Sequence, residues 1–163
     1  NFASSGFSFS KSKLTATSGE VGLENGSFGE VKINTTSGNI VLDCCEASTT
    51  EITATSGNVV LYDYDAAETK IVTTSGEVGL GNGSFGEAKI NTTSGDVVLD
   101  GYDAATTEIT TTSGDVIGTV TAPKGFFVQT VSGTVEYPVN DDWTGTFDVH
   151  TDSGDVKLSY QIG

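Results

Sequence analysis

The chain has no methionine and no arginine, and among its 163 residues there are only two prolines, two cysteines and one histidine, His150. Without arginine it lacks the side chain best suited to clamp an anionic sugar. Two cysteines are too few for a zinc site or a disulfide framework. Phosphate loops, haem motifs and nucleotide-binding fingerprints are also missing. The sequence therefore predicts that the protein is not an enzyme.

Long apolar runs are missing as well, since no stretch approaches the roughly 18 residues of a membrane-spanning helix. The net charge is −15, from 22 acidic residues against seven basic ones. This balance argues against nucleic acid or an anionic membrane surface as a partner. We therefore expect no nucleic-acid binding and no direct membrane insertion by this fragment. Because the chain begins at Asn1 without a leader, we expect an N-terminal leader or anchor to be missing from it.

Ser-Gly pairs recur along the chain with a fixed period. They begin at Ser18, Ser37, Ser56, Ser75, Ser94, Ser113 and Ser132, each nineteen positions after the last. An eighth pair begins at Ser153 after a step of 21 positions, two more than the regular period. A period of this length is typical of stacked structural units. Each glycine predicts a tight corner where a Cβ would not fit, and the neighbouring hydroxyl residues predict hydrogen bonds from unit to unit.

Each unit contains the pattern of two short strands. Val97 and Leu99 show the first, because apolar residues alternate with others after a Ser-Gly pair, and Ile109 marks the second. Asn-Gly, Asp-Gly and Asp residues between the strands favour tight turns. A meander of hairpins would not need one register through both strands and both turns. A solenoid would need it, because residues of the same type lie above one another in successive coils, which are about 4.8 Å apart.

We predict an all-β, single-domain β-solenoid (β-helix) of about eight coils of 19 residues, and we expect it to be right-handed. Residues 1–17 would form an N-terminal partial coil and cap, residues 18–131 six regular coils, and residues 132–163 irregular C-terminal coils and a cap. Residues 19–38 recur almost unchanged at 76–95, three coils later. Phe28 and Phe85 should therefore occupy equivalent corners, beside small residues of neighbouring coils.

The residue after each Ser-Gly pair is mostly acidic or an amide, which predicts an outward polar column. Asp96 and Asp115 are neighbours in it, and stacked carboxylates repel unless water or a hard cation screens them. We favour a solvated face with no cofactor, and calcium bound by Asp96 and Asp115 is the alternative. The glycine-rich nonapeptide of calcium-binding β-rolls is missing.

A second candidate surface combines aromatic and acidic residues. Tyr64 and Tyr102 adjoin Asp65 and Asp103, which would suit a carbohydrate platform. Trp143 lies where two extra residues widen a corner, and we favour a cap on the core over a flat surface for a sugar ring.

Cys44 and Cys45 are adjacent, and they occupy turn positions that other repeats fill with Asp63-Tyr64 or Gly101-Tyr102. Neighbouring cysteines seldom bridge each other without strain. We interpret them as sequence variation of the repeat at a turn position, and they do not indicate a redox compartment.

The repeated Thr-Ser-Gly-Asp-Val and Thr-Ser-Gly-Glu-Val strings, followed by alternating Val and Leu, resemble those of a bacterial family of adhesin-like domains of unknown function. The resemblance covers about residues 11–160. It implies a β-solenoid domain from a cell-envelope protein, behind a membrane segment or export signal, with no established catalytic activity.

We therefore predict a non-catalytic cell-envelope or secreted module for binding or scaffolding, with an unknown cell-surface protein or glycan as partner. A self-assembling structural protein, joined by end-to-end strand pairing, is one alternative, so that the chain would be a monomer or an end-to-end oligomer. A polysaccharide-active enzyme with paired carboxylates is another, less favoured because no acid breaks the repeat in a cleft and His150 has no obvious partner.

Overall fold

The computed structural model describes residues 2–119, 124–140 and 143–161, and every regular element in these ranges is a β-strand. One sheet has nine strands, mostly of four residues: β1 (Phe2–Ser5), β3 (Val21–Glu24), β5 (Ile40–Asp43), β7 (Val59–Tyr62), β9 (Val78–Gly81), β11 (Val97–Asp100), β13 (Val116–Gly118), β15 (Val135–Asn140) and β17 (Val156–Gln161). The other has eight strands, most of them nearly three times as long: β2 (Ser8–Ser18), β4 (Ser27–Ser37), β6 (Glu46–Ser56), β8 (Asp65–Ser75), β10 (Ser84–Ser94), β12 (Asp103–Ser113), β14 (Gly125–Ser132) and β16 (Thr146–Thr151). We call them the short-strand and the long-strand sheet.

Successive strands alternate between the two sheets, and neighbours within each sheet run parallel. Each coil therefore adds one strand to each sheet, which defines a β-solenoid of about eight turns. The predicted all-β solenoid is confirmed, and its right-handedness stays a prediction. Val97 pairs with Val78 and Val116, so that each step equals the period of the Ser-Gly pairs. The last step is two positions longer, because Val135 pairs with Val156.

The core consists of the columns that the repeat predicts. Val97 and Leu99 face inward from the short-strand sheet and are 0% exposed, and Ile109 faces them from the long-strand sheet. Because most columns repeat the same residue type from coil to coil, the side chains above and below make like-on-like contacts. No helix in the described ranges is long and apolar enough to cross a membrane.

The Ser-Gly corner brings successive backbones into close contact. Gly76 has φ +122°, and a Cβ on it would overlap the carbonyl oxygen of Gly57 one coil below. Ser75 donates its hydroxyl to the carbonyl oxygen of Thr55 at 3.3 Å, and the same bond recurs at other corners. The predicted role of this motif as a corner is confirmed.

At the end of the core away from the Ser-Gly corner, where a short strand turns into a long one, a large side chain in each coil lies two positions from a small one. Phe85 fills the core beside Gly83, where a Cβ would lie 3.0 Å from the phenyl ring. In the preceding coil Tyr64 supplies the ring and Ala66 is the small partner. The two rings stack with centroids 6.4 Å apart. Large and small side chains therefore complement each other within a coil as well as between coils.

Two features differ from the prediction. The second strand of a regular coil is long rather than short, because it runs from the turn to the next Ser-Gly corner. The segment before Ser18 forms β1 and β2, and both pair in register with the next coil. It therefore adds a strand to each sheet instead of covering an open end.

We expect Gly76→Ala to destabilise the fold by at least about 2 kcal/mol, because it imposes a Cβ clash and an unfavourable φ. The matched control is Gly79→Ala in the same coil, where the nearest atom to a new Cβ is Cγ2 of Val60 at 3.9 Å. The control should be neutral or slightly stabilising, because alanine has less backbone entropy to lose. Urea unfolding followed by circular dichroism measures both, and equal effects would contradict the corner's role.

Candidate functional site

The acidic column beside the corner forms a hydrogen-bond ladder between coils. Oδ1 of Asp96 accepts the backbone N–H of Asp115 at 2.9 Å, and Oδ1 of Asp115 accepts that of Thr134 at 2.7 Å. Asn39 and Asn58 accept the next coil's N–H in the same way, each at 3.0 Å. Carboxylate and amide are interchangeable here because only one acceptor oxygen is needed. The column therefore satisfies backbone donors at the corner.

This ladder limits what Asp96 and Asp115 could offer to a cation. One oxygen of each carboxylate already accepts an N–H, and the next member of the column is Thr134, which carries no charge. Calcium takes six to eight oxygen ligands. The pair alone falls far short of that number. The solvated face stays the prediction, and calcium at Asp96 and Asp115 stays its alternative.

A different group of possible ligands lies at the turns that follow the short strands, at the opposite end of these strands from the Ser-Gly corner. Among the described residues, single ligand atoms of Asp43, Cys44 and Asp63 all lie within 4.8 Å of one another. Cys44 is exposed and adopts the left-handed conformation of the turn, with φ +52°. A hydrogen bond to the Asp43 carboxylate raises the pKa of the Cys44 thiol, so that it stays protonated near neutral pH. A metal bound by the Cys44 sulfur would therefore have to displace the thiol proton.

Cys45 faces the core instead and is 4% exposed. Burial raises the pKa of its thiol, which makes it an unreactive, small apolar residue. Both thiols are free. Cys45 occupies the column that Tyr64 fills in the next coil, and Ala47 lies two positions after it, so this coil has small side chains at that end of the core.

The structure corrects the predicted carbohydrate platform at its two tyrosines. Tyr64 is 0% exposed and Tyr102 6% exposed, so neither ring can stack on a sugar. Their hydroxyls are hydrogen-bonded to Thr50 at 2.6 Å and to Thr107 at 3.0 Å inside the core. Burial raises the pKa of Tyr64 to about 12 and that of Tyr102 well above its usual value. The residue after the left-handed turn position points inward, which the sequence pattern did not reveal.

The remaining members of that platform lie in separate environments. Asp65 and Asp103 are exposed at equivalent positions two coils apart, and Oδ1 of Asp65 accepts the N–H of Ser84 at 2.9 Å. Trp143 is half-buried against the core and packs edge-to-face on Phe147, with centroids 6.1 Å apart. This packing is that of a capping residue. The structure therefore does not bring the five predicted residues together.

The most strongly patterned polar surface is one that the sequence reading missed. One outward column of the long-strand sheet runs through Lys13, Lys32, Glu51, Lys70, Lys89, Glu108, Phe127 and Asp148. We call the surface around it the charged face. Lys32 pairs with Glu51 at 2.7 Å and Lys89 with Glu108 at 3.2 Å, each across one coil step. Comparing the lysine positions one repeat apart would have revealed it.

A shallow groove of about 390 Å³ follows the charged face, and Glu51, Glu68, Lys70, Glu87 and Lys89 contribute to its lining. The hydrogen bond from Lys32 lowers the pKa of Glu51, so this carboxylate stays ionised. A general acid would need the opposite shift. The groove can therefore recognise charges, but Glu51 is unsuited to protonate a leaving group.

His150 has a partner that the sequence did not indicate. Its Nε2 lies 3.3 Å from Oδ1 of Asp152, and both side chains are largely exposed on the last coil. An exposed ion pair of this kind contributes little to stability.

These features define a parallel β-solenoid repeat domain in which several surface carboxylates, such as those of Asp96 and Glu51, form hydrogen bonds or ion pairs between coils. The chain belongs to the Toastrack DUF4097 family, whose model matches residues 1–63 and 43–162. This confirms the predicted membership of a family of unknown function. No curated protein and no solved structure matches the chain.

We expect Asp96→Ala to cost about 1 kcal/mol of stability, because it leaves the N–H of Asp115 without its acceptor. Asp96→Asn keeps the acceptor, as Asn39 and Asn58 do, and should be nearly neutral. Thermal melts in calcium and in chelator test the cation at the same time, and we expect equal melting temperatures. A calcium-dependent rise in the wild type that Asp96→Asn removes would instead establish a calcium site.

We expect Tyr64→Phe to cost about 1–2 kcal/mol at neutral pH, because it leaves the buried hydroxyl of Thr50 unpaired. Tyr62→Phe is the control, since Tyr62 is 44% exposed and its hydroxyl bonds to the surface residue Asn82. Chemical unfolding of both variants gives the two free energies, and equal losses would contradict a buried hydrogen bond.

The raised pKa of Tyr64 also predicts alkaline behaviour. The unfolded tyrosine ionises near pH 10 and the folded one near 12. Its contribution to stability is therefore complete below pH 10 and is lost as the pH rises toward 12. The stability of Tyr64→Phe should fall less steeply over that interval. If the free energy of unfolding fell with pH equally steeply in the wild type and in Tyr64→Phe, the ring would not be buried.

Proposed function

We propose that this chain is a non-catalytic binding or scaffolding module of a cell-envelope or secreted protein, and that the charged face is its adhesin-like recognition surface. The observation that carries the proposal is the groove along that face. It is long and shallow, it is lined by side chains of both signs, and several of its charges are already placed by ion pairs one coil apart. Such a surface suits an extended partner that lies along the rod.

The partner that this chemistry favours is a protein segment with basic residues. The lining of the groove includes four glutamates, Glu30, Glu51, Glu68 and Glu87, against two lysines, Lys70 and Lys89, and the whole chain is acidic. A glycan is less favoured because the tyrosines that would have stacked on sugar rings are buried. The proposed location in the envelope or outside the cell is supported by the resemblance of the Thr-Ser-Gly-Asp-Val repeats to adhesin-like domains.

The absence of catalysis is also part of this proposal. The carboxylates of the groove lie on a regular sheet surface rather than facing each other across a cleft. Glu51 is held ionised by Lys32, and Glu87 contacts Lys89 at 3.2 Å. A polysaccharide hydrolase needs one carboxyl group with a raised pKa to act as general acid. The hydrogen bond from Lys32 lowers the pKa of Glu51 and favours its ionised form instead.

Binding to a synthetic peptide array graded in net charge, and to a glycan array, tests the proposal. We expect salt-sensitive binding to basic peptides, reduced about tenfold in the double variant Glu68→Gln/Glu87→Gln. The double variant Glu24→Gln/Glu77→Gln changes the net charge equally but lies outside the groove, so it should bind as the wild type does. Equal losses in both variants would reveal non-specific attraction and contradict a defined face. Cleavage of any arrayed glycan would favour the enzyme alternative.

A further inference from the structure

A second outward column lies beside the column of lysines and glutamates on the charged face. It runs through Lys11, Glu30, Thr49, Glu68, Glu87 and Thr106. We call it the glutamate column. Each of its members lies two positions before a member of the first column in the same strand, as Glu30 lies before Lys32. Because Glu30, Glu68 and Glu87 all line the groove, this column supplies most of the negative charge there.

The charged face contains the same arrangement of three charges twice. Each copy consists of a glutamate and a lysine two positions apart in one strand, and a second glutamate in the next coil: Glu30, Lys32 and Glu51 in one, and Glu87, Lys89 and Glu108 in the other. The lysine contacts the second glutamate in both copies, at 2.7 Å and 3.2 Å. The second copy lies three coils after the first, so the chain presents two equivalent sites to one partner.

The first glutamate of each copy keeps a carboxylate oxygen for such a partner. Oε2 of Glu30 contacts Nζ of Lys11 at 2.7 Å, and Oε1 of Glu87 contacts Nζ of Lys89 at 3.2 Å. The other oxygen of each accepts no hydrogen bond from any residue that the structure describes. Because a carboxylate has about four acceptor sites, both can accept a second basic group. Glu30 and Glu87 also both line the groove, whereas Glu108 does not.

The distance between the two copies matches an extended peptide that lies along the rod. Three coil steps of about 4.8 Å separate Glu30 from Glu87 by about 14 Å. An extended chain advances about 3.3 Å per residue, and only every second side chain points to the same side. Side chains two residues apart on one side are thus about 7 Å apart, and those four residues apart about 13 Å. Three steps are the shortest coil spacing that such a segment can match.

We propose that the charged face binds an extended protein segment through two basic side chains four residues apart, one at Glu30 and one at Glu87. The inference rests on the proposed function, since it concerns the same groove, and it adds the spacing that the partner must have. The two contacts reinforce each other, because the first raises the effective concentration of the second basic group. Glu87 is the stronger site, because Glu68 precedes it in the glutamate column where Lys11 precedes Glu30.

Fluorescence anisotropy with peptides that differ only in the spacing of two arginines tests the inference. The arginines lie two, three, four, five or six positions apart in a threonine-rich background, which favours an extended chain and keeps the net charge constant. Arginine serves as the probe because its rigid fork fixes the geometry toward a carboxylate. We expect the spacing of four to bind the wild type about tenfold more tightly than three or five, where the second arginine points away.

Variants of the glutamate column test which carboxylates set this spacing. Glu87→Gln should remove the preference for a spacing of four, and Glu30→Gln should do the same with a smaller loss of affinity. Glu77→Gln makes the same charge change outside the groove and should keep the preference. The double variant Glu87→Thr/Thr106→Glu moves the second carboxylate one coil further, to about 19 Å, so the best spacing should become six. Circular dichroism verifies that each variant is folded.

The possible results separate this inference from the proposed function. If none of the peptides binds the wild type, the proposed function is wrong and the inference fails with it. If every spacing binds equally tightly, or another spacing binds best, the proposed function stands and the inference is overturned. Loss of the preference in Glu77→Gln, or an unchanged optimum in Glu87→Thr/Thr106→Glu, would contradict the assignment of the two sites to Glu30 and Glu87.

Discussion

The structure depends on the direct superposition of each coil on the one before it. Parallel backbone pairing at a constant step places every residue over its counterpart, as in the pairing of Ile90 with Ile109. The close approach of Gly57 and Gly76 at the corner makes this superposition possible, because a side chain there would separate the coils. Once the step is set, the core columns and the polar ladders follow from it.

The same superposition accounts for how the acidic surface is used. A carboxylate in a stacked column meets the next coil's backbone N–H or a lysine, as Asp96 meets Asp115 and Lys32 meets Glu51. Several of the acidic groups therefore link one coil to the next. The surface that we propose for recognition is the charged face.

Much of the fold could be predicted from the sequence because the repeat is regular in both length and residue type. The Val97, Leu99 and Ile109 columns and the Ser-Gly corners were all found where expected. The candidate site was predicted less well. Tyr64 follows Asp63, whose φ of +48° shifts the alternation by one residue and turns the ring into the core. A sequence pattern does not show which turn residue adopts that conformation, so a buried ring resembled a surface one.

Pairing on the charged face depends on contacts between coils that are distant in the sequence. The lysine and glutamate column is visible only when residues one coil apart are compared across the sheet, as Lys89 and Glu108 are. The balance between Phe85 and Gly83 likewise appears only when both residues are placed in one core. The sequence repeat predicted the strand positions of these residues, but their contact partners in neighbouring coils became clear only from the structure.

The most direct test of the superposed coils is a set of distances between spin labels on Thr17, Thr36 and Thr112, all of which are exposed. The labels would be introduced as cysteines in a chain with Cys44 and Cys45 replaced. The account predicts that the 17–112 and 36–112 distances correspond to five and four coil steps, about 24 and 19 Å along the rod, and differ by one step of about 4.8 Å. Distances that do not grow evenly with the number of coils would contradict it.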